Sequence, residues 1–139
     1  MGNVRFDFGG MLELQQKLSR LTPEKINRFM TECTEELAAR LMAKVLPRTP
    51  VGQYPRGSGK VGGTLQRGWT VENVVKTGNT YTITIKNPVY YAPYVEYGHR
   101  TKNGGIVEGK KMLTISEDEV RQIAGRVLEE KLKKFLEGG

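Results

Sequence analysis

Two stretches of the chain repeat apolar residues at helical spacing, and between them lies a region of strand-like alternation. Ile26, Phe29, Met30, Cys33, Leu37, Leu41 and Val45 fall on one stripe of a helix. Thr22-Pro23-Glu24 opens it: Thr22 can cap, Pro23 suits the first helical position, and Glu24 complements the dipole. Pro47 is expected to stop it near Leu46. A second stripe comprises Val120, Ile123, Ala124, Val127, Leu128, Leu132 and Phe135. Ser116-Glu117-Asp118-Glu119 reads as its capping box, with Lys131, Lys133 and Lys134 near its end.

Between the helices, Tyr81, Ile83 and Ile85 alternate with Thr82, Thr84 and Lys86, the clearest strand of the sequence. Leu65, Trp69 and Val71, followed by Val74 and Val75, predict a preceding strand, and the turn over 76–80 makes the two a hairpin. Val4, Phe6 and Phe8 predict a short strand ended by Gly9-Gly10, and Met11, Leu14, Leu18 and Leu21 a short helix over 11–20. Ala92-Pro93 can open a helical turn, 99–111 a glycine-rich basic hairpin, and Met112, Leu113 and Ile115 a last strand. The expected fold is α+β: an antiparallel sheet of three to five strands, with the long helix and the C-terminal helix packed on one face.

The length predicts one domain over residues 1–139, with a flexible basic loop at 47–64 and a second excursion at 99–111. With a single cysteine, no intrachain disulfide is available to the fold. The start of the chain lacks the continuous apolar run of a signal peptide, and no stretch has the roughly 18 consecutive apolar residues of a membrane span, so no membrane role is expected. A net charge of +7 favours an acidic partner, either nucleic acid or an acidic protein surface. From Leu37 to Val71 there is no acidic residue, while Arg40, Lys44, Arg48, Arg56, Lys60 and Arg67 all fall there.

The catalytic inventory is thin. Cys33 is the only cysteine and lies on a buried stripe, and His99 is the only histidine, in a distant loop. Neither a nucleophilic pair nor a zinc site can be built from them. Gly57-Ser58-Gly59-Lys60 lacks the spacing and the strand–loop–helix setting of a phosphate loop. No enzyme activity and no cofactor or metal are therefore expected. A basic nucleic-acid-binding module is the alternative reading: the acid-free stretch could track phosphates, with Tyr54 and Trp69 available for stacking. Tyr90, Tyr91, Tyr94 and Tyr97 cluster within eight residues, beside Glu96, His99 and Arg100. On a helical turn Tyr90, Tyr94 and Tyr97 share a face, and tyrosine suits both a subunit interface and packing on the sheet.

Tyr91-Ala92-Pro93-Tyr94-Val95-Glu96-Tyr97-Gly98 resembles the signature of the phage family of the tenth gene product of a lambdoid coliphage, which are head–tail joining or tail-completion proteins. Gly63-Thr64-Leu65-Gln66-Arg67-Gly68-Trp69, and Thr49-Pro50-Val51 before a glycine-rich loop, are similar to the family pattern, so the resemblance covers about residues 20–136. Lys111-Met112-Leu113 departs from the family's proline-phenylalanine-leucine segment, and the 99–111 excursion is longer than usual. The resemblance implies a virion subunit at the neck or tail end, assembled in the host cytoplasm. It would associate with itself into a ring, such as a hexamer, and meet the head connector or adaptor and the tail tube or its terminator, with transient contact to packaged DNA. Tyr90, Tyr91, Tyr94, Glu96, Tyr97, His99 and Arg100 would then form the subunit interface. Arg48, Tyr54, Arg56, Lys60, Arg67, Lys102, Lys110 and Lys111 would line docking loops or a DNA channel.

Overall fold

The computed structural model describes residues 3–6, 20–52, 57–59, 62–78 and 80–137, the first of these segments through its backbone. The short helix expected over 11–20 lies almost wholly outside them, as does Phe8. The elements run β1 (Asn3–Phe6), α1 (Pro23–Arg48), α2 (Thr64–Arg67), β2 (Thr70–Val71), β3 (Val75–Thr77), β4 (Thr80–Lys86), α3 (Ala92–Tyr97), β5 (Gly98–Arg100), β6 (Ile106–Glu108) and α4 (Met112–Glu137).

β4 is the centre of the sheet. Its alternation is realised as read: Tyr81, Ile83 and Ile85 are buried, while Thr80, Thr82 and Thr84 are half-buried on the other face. β1 pairs with it antiparallel, with Val4 opposite Ile83. On its other side lie β2 and β3, with Val71 opposite Ile85 and Val75 opposite Thr82. Three residues, 72–74, thus face two, 83 and 84, which is the signature of a bulge. The bulge splits the single strand anticipated from Leu65 to Val75. Leu65 falls instead in the helical turn α2, where it is buried. Trp69 is buried between the two and donates its indole N–H to Thr49 Oγ1 at 2.8 Å. The hairpin into β4 is present, with Thr77 paired to Thr80 across a turn in which Gly78 has φ +61°.

α1 and α4 pack antiparallel. Phe29, near the start of α1, meets Phe135 near the end of α4 at 5.4 Å between ring centroids. At the opposite end, Arg48 donates to Ser116 Oγ at 3.0 Å and pairs with Glu119. The α1 stripe is buried as expected: Phe29, Cys33, Leu37, Leu41 and Val45 have no exposure. Each large apolar side chain so buried is worth about 1.5–3 kcal/mol, against roughly 0–1 for a solvated ion pair, so this stripe and not the charges holds the helices together.

Two expectations about helix ends need correction. α1 continues through Pro47 to Arg48. A proline in the last turn forfeits one backbone bond, to the Ala43 carbonyl, and Thr49 closes the end by donating its N–H to Leu46 O and its hydroxyl to Val45 O. The last strand expected at Met112–Ile115 is absent, because α4 already begins at Met112. Ser116 therefore lies inside the helix, buried, with its hydroxyl donated back to Met112 O at 2.6 Å. It caps nothing. The cap comes from elsewhere in the chain.

Candidate functional site

That cap is Glu96. Its side chain is 1% exposed. One carboxylate oxygen accepts the Leu113 N–H at 2.9 Å; the other accepts the Thr114 N–H at 3.0 Å and the Thr114 hydroxyl at 2.7 Å. These amides are among those a helix leaves unpaired at its N-terminus, where the dipole also favours negative charge. Lys111, at the N-cap, has φ +48°, a conformation rare for a residue with a side chain, and its carbonyl accepts the Ile115 N–H. Its own N–H and that of Lys110 bond the Glu96 and Val95 carbonyls at 3.0 and 2.7 Å, closing the end of α3. Glu96 thus uses backbone and side chain together to fix α3, the hairpin root and α4 as one unit.

The hairpin β5–β6 leaves and re-enters at Gly98 and Gly109. A Cβ at Gly98 would collide with the Val107 carbonyl oxygen, and one at Gly109 with that of Glu96. Gly98 also has φ +85°. The register is Gly98 to Glu108, His99 to Val107 and Arg100 to Ile106. Thr101 closes the tip, its N–H bonding Gly105 O and its hydroxyl accepting the Gly105 N–H.

The signature octapeptide therefore has two sets of residues. Ala92, Glu96 and Gly98 face inward or meet backbone. Tyr94 and Tyr97 face outward, 55% and 68% exposed, and Tyr90 just before them is 84% exposed. Tyr91 is half-buried against the core, and its ring and that of Tyr90 are T-shaped at 5.2 Å between centroids. His99 lies edge-on to Tyr94 at 5.9 Å. Ile106 and Val107 add exposed apolar surface, and Tyr97, His99, Arg100, Ile106, Val107 and Lys111 line an open groove of about 600 Å³. Tyr94 and His99 are thus in contact, and Tyr97, His99 and Arg100 share the groove, with Tyr90 exposed just before α3 and Glu96 buried beneath. Nothing in the sequence marked Ile106 and Val107 as exposed; they read there as an apolar pair inside a polar excursion.

The described cations of the acid-free stretch have partners within the fold. Arg40 pairs with Glu36 on its own helix, and Lys44 and Arg48 both pair with Glu119 of α4. Burial raises the Glu119 pKa, but the hydrogen bonds and charges of Lys44 and Arg48 outweigh it and hold the carboxyl below its ordinary value. Arg67 donates to the Gly62 carbonyl at 3.0 Å. Arg48 is therefore an interhelical contact. Tyr54, Arg56 and Lys60 lie outside the described residues. Arg100, Lys102, Lys110 and Lys111 are exposed, and no described carboxylate pairs with them. Among the described residues no group of histidine, cysteine and carboxylates could hold a metal ion, and no helix is long and apolar enough to cross a membrane.

Residues 13–98, more than half of the chain, match the family model for the bacteriophage HK97-gp10-like tail component. The chain belongs to the HK97-gp10-like family of phage tail components. The match ends at Gly98, the first residue of β5, so it takes in α1, β2 to β4 and the whole tyrosine octapeptide, and leaves the rest of β5, β6 and α4 beyond it. The family is one of structural tail proteins, and a tail component is a virion protein. No curated protein and no solved structure matches this tail component.

Proposed function

We propose that this tail component is a tail-completion or head–tail joining subunit. Copies of the chain close into a ring between the head connector and the tail tube, and the ring works by contact, without catalysis. The observation that carries this reading is the exposed face of Tyr90, Tyr94, Tyr97, Ile106 and Val107, held rigid by a buried carboxylate. Water-exposed tyrosines on a braced helix lose little entropy on docking and bury a large apolar body, the usual anchors of protein interfaces. Such a patch on a monomer marks an interaction site.

The test has two arms. Light scattering after size exclusion should give a closed oligomer for the parent chain. Tyr94→Ser/Tyr97→Ser should shift it to smaller species, since an anchor residue carries about 2 kcal/mol, or roughly 30-fold in affinity. In the source element, an in-frame deletion of the gene should leave filled heads and separate tails by electron microscopy, restored by the parent gene and not by the double variant. Joined particles from the deletion would overturn the joining role.

A further inference from the structure

We propose that the β5–β6 hairpin is a double-stranded DNA contact that holds phosphates without reading sequence. It does not depend on ring closure and is tested on the free chain. Arg100, Lys102, Lys110 and Lys111 lie on this arm or at its root, exposed and without a carboxylate partner. Arg40, Lys44, Arg48, Lys86 and Arg121 each have a carboxylate within the fold. Arg126, Lys133 and Lys134 of α4 have none among the described residues, but they are interspersed with Glu129, Glu130 and Glu137 along that helix. Glu108 is the only acid on the arm.

The spread of the charges selects the partner. From the root at Gly98 to Lys102 at the tip the strand rises about 13 Å, at roughly 3.3 Å per residue. One carboxylate cannot answer cations so far apart; a continuous line of negative charge can. Duplex DNA carries one charge per about 1.7 Å of axis, so an arm of this length runs beside roughly eight of them. The tip suits close approach. Its residues 101–105 are Thr, Lys, Asn, Gly and Gly, with no bulky apolar side chain, and Gly104 takes φ +82°. A two-stranded ribbon is also narrow enough for the major groove, about 12 Å wide. Of the acid-free stretch, Arg40, Lys44 and Arg48 are ion-paired within the fold, whereas the arm's cations are not.

The experiment measures binding of a short fluorescein-labelled duplex of random sequence by anisotropy, between about 50 and 200 mM salt. Four phosphate contacts predict a log–log slope of about −3.6, hence a loss of roughly 150-fold over that range. Lys102→Ala/Lys110→Ala should lower the slope to about −1.8 and the loss to roughly 12-fold. Both lysines are exposed, so folding is spared. Arg121→Ala, which removes a cation already paired with Glu117, should leave the slope unchanged. Absence of duplex binding at about 50 mM salt overturns the proposal, as does an unchanged slope in the double variant. Binding of poly-L-glutamate without binding of the duplex also overturns it and assigns the arm to an acidic protein.

Discussion

Replacing Glu96 by alanine removes three hydrogen bonds at once and leaves the first turn of α4 without a cap. The Leu113 and Thr114 amides and the Thr114 hydroxyl lose their acceptor, and Leu113 is buried, 5% exposed, so water cannot readily replace it there. A buried donor left unpaired costs about 1–3 kcal/mol, and loss of an N-cap about 0.5–2. These overlap, because the cap is made of the same bonds. With the small void left by the side chain, the loss should be about 3–4 kcal/mol. For a chain of 139 residues this lowers Tm by roughly 12–16 °C, at about 4 °C per kcal/mol. Glu96→Gln should fall between, at about 2 kcal/mol, since one oxygen still accepts from Leu113 while the amide nitrogen faces the Thr114 N–H. The assay is urea unfolding followed by circular dichroism, with hydrogen exchange at residues 113 and 114. Both amides should exchange faster in the alanine variant under native conditions, ahead of the amides in the middle of α1. A loss below about 1 kcal/mol, or unchanged exchange at these two amides, would refute the claim that Glu96 holds α3 to α4.

Glu119 supplies a pH prediction. Its carboxyl is held below the ordinary value of 4.5, so the pairs with Lys44 and Arg48 stabilise the fold above that value and are lost as pH falls through the lowered one. Glu119→Gln should flatten the acid limb of a stability–pH curve, and an identical acid limb would contradict the pairing. Burial pushes the Cys33 thiol up to about 12, so it should resist a thiol reagent in the native state and react once urea unfolds the chain; rapid native labelling would show that α1 and α4 open there. Gly98→Ala places a Cβ against the Val107 carbonyl at φ +85° and should cost about 1–3 kcal/mol, read as accelerated exchange in β5 and β6 with the core amides unchanged. A wild-type exchange pattern in the hairpin would show that the arm's root tolerates a side chain.

Much of the architecture is legible in local pattern. The stripe from Phe29 to Val45, the alternation of Tyr81, Ile83 and Ile85, and the stripe from Val120 to Phe135 each repeat at the period of the element they form, and burial follows that period. The failures have a common cause. Ser116 and Glu119 have the spacing of a capping box, yet a carboxylate twenty residues before Ser116 provides the cap one turn earlier and frees both side chains for Arg48 and Lys44. Pro47 reads as a stop, yet the terminal bonds of Thr49 carry the helix past it. In each case the competing partner is remote or lies just beyond the window that spacing surveys.

The candidate site divides in the same way. The residue types at the tyrosine octapeptide, and the kinship they imply, are properties of the sequence itself. Which of them face outward is not, because burial depends on what packs against them. Glu96 has the same side chain as the solvated glutamates of the helices, and only its place beneath the first turn of α4 makes it a brace. Likewise the sequence determines the net charge of the chain, while the fold decides which cations meet carboxylates nearby and which, as on the β5–β6 arm, stay exposed without one.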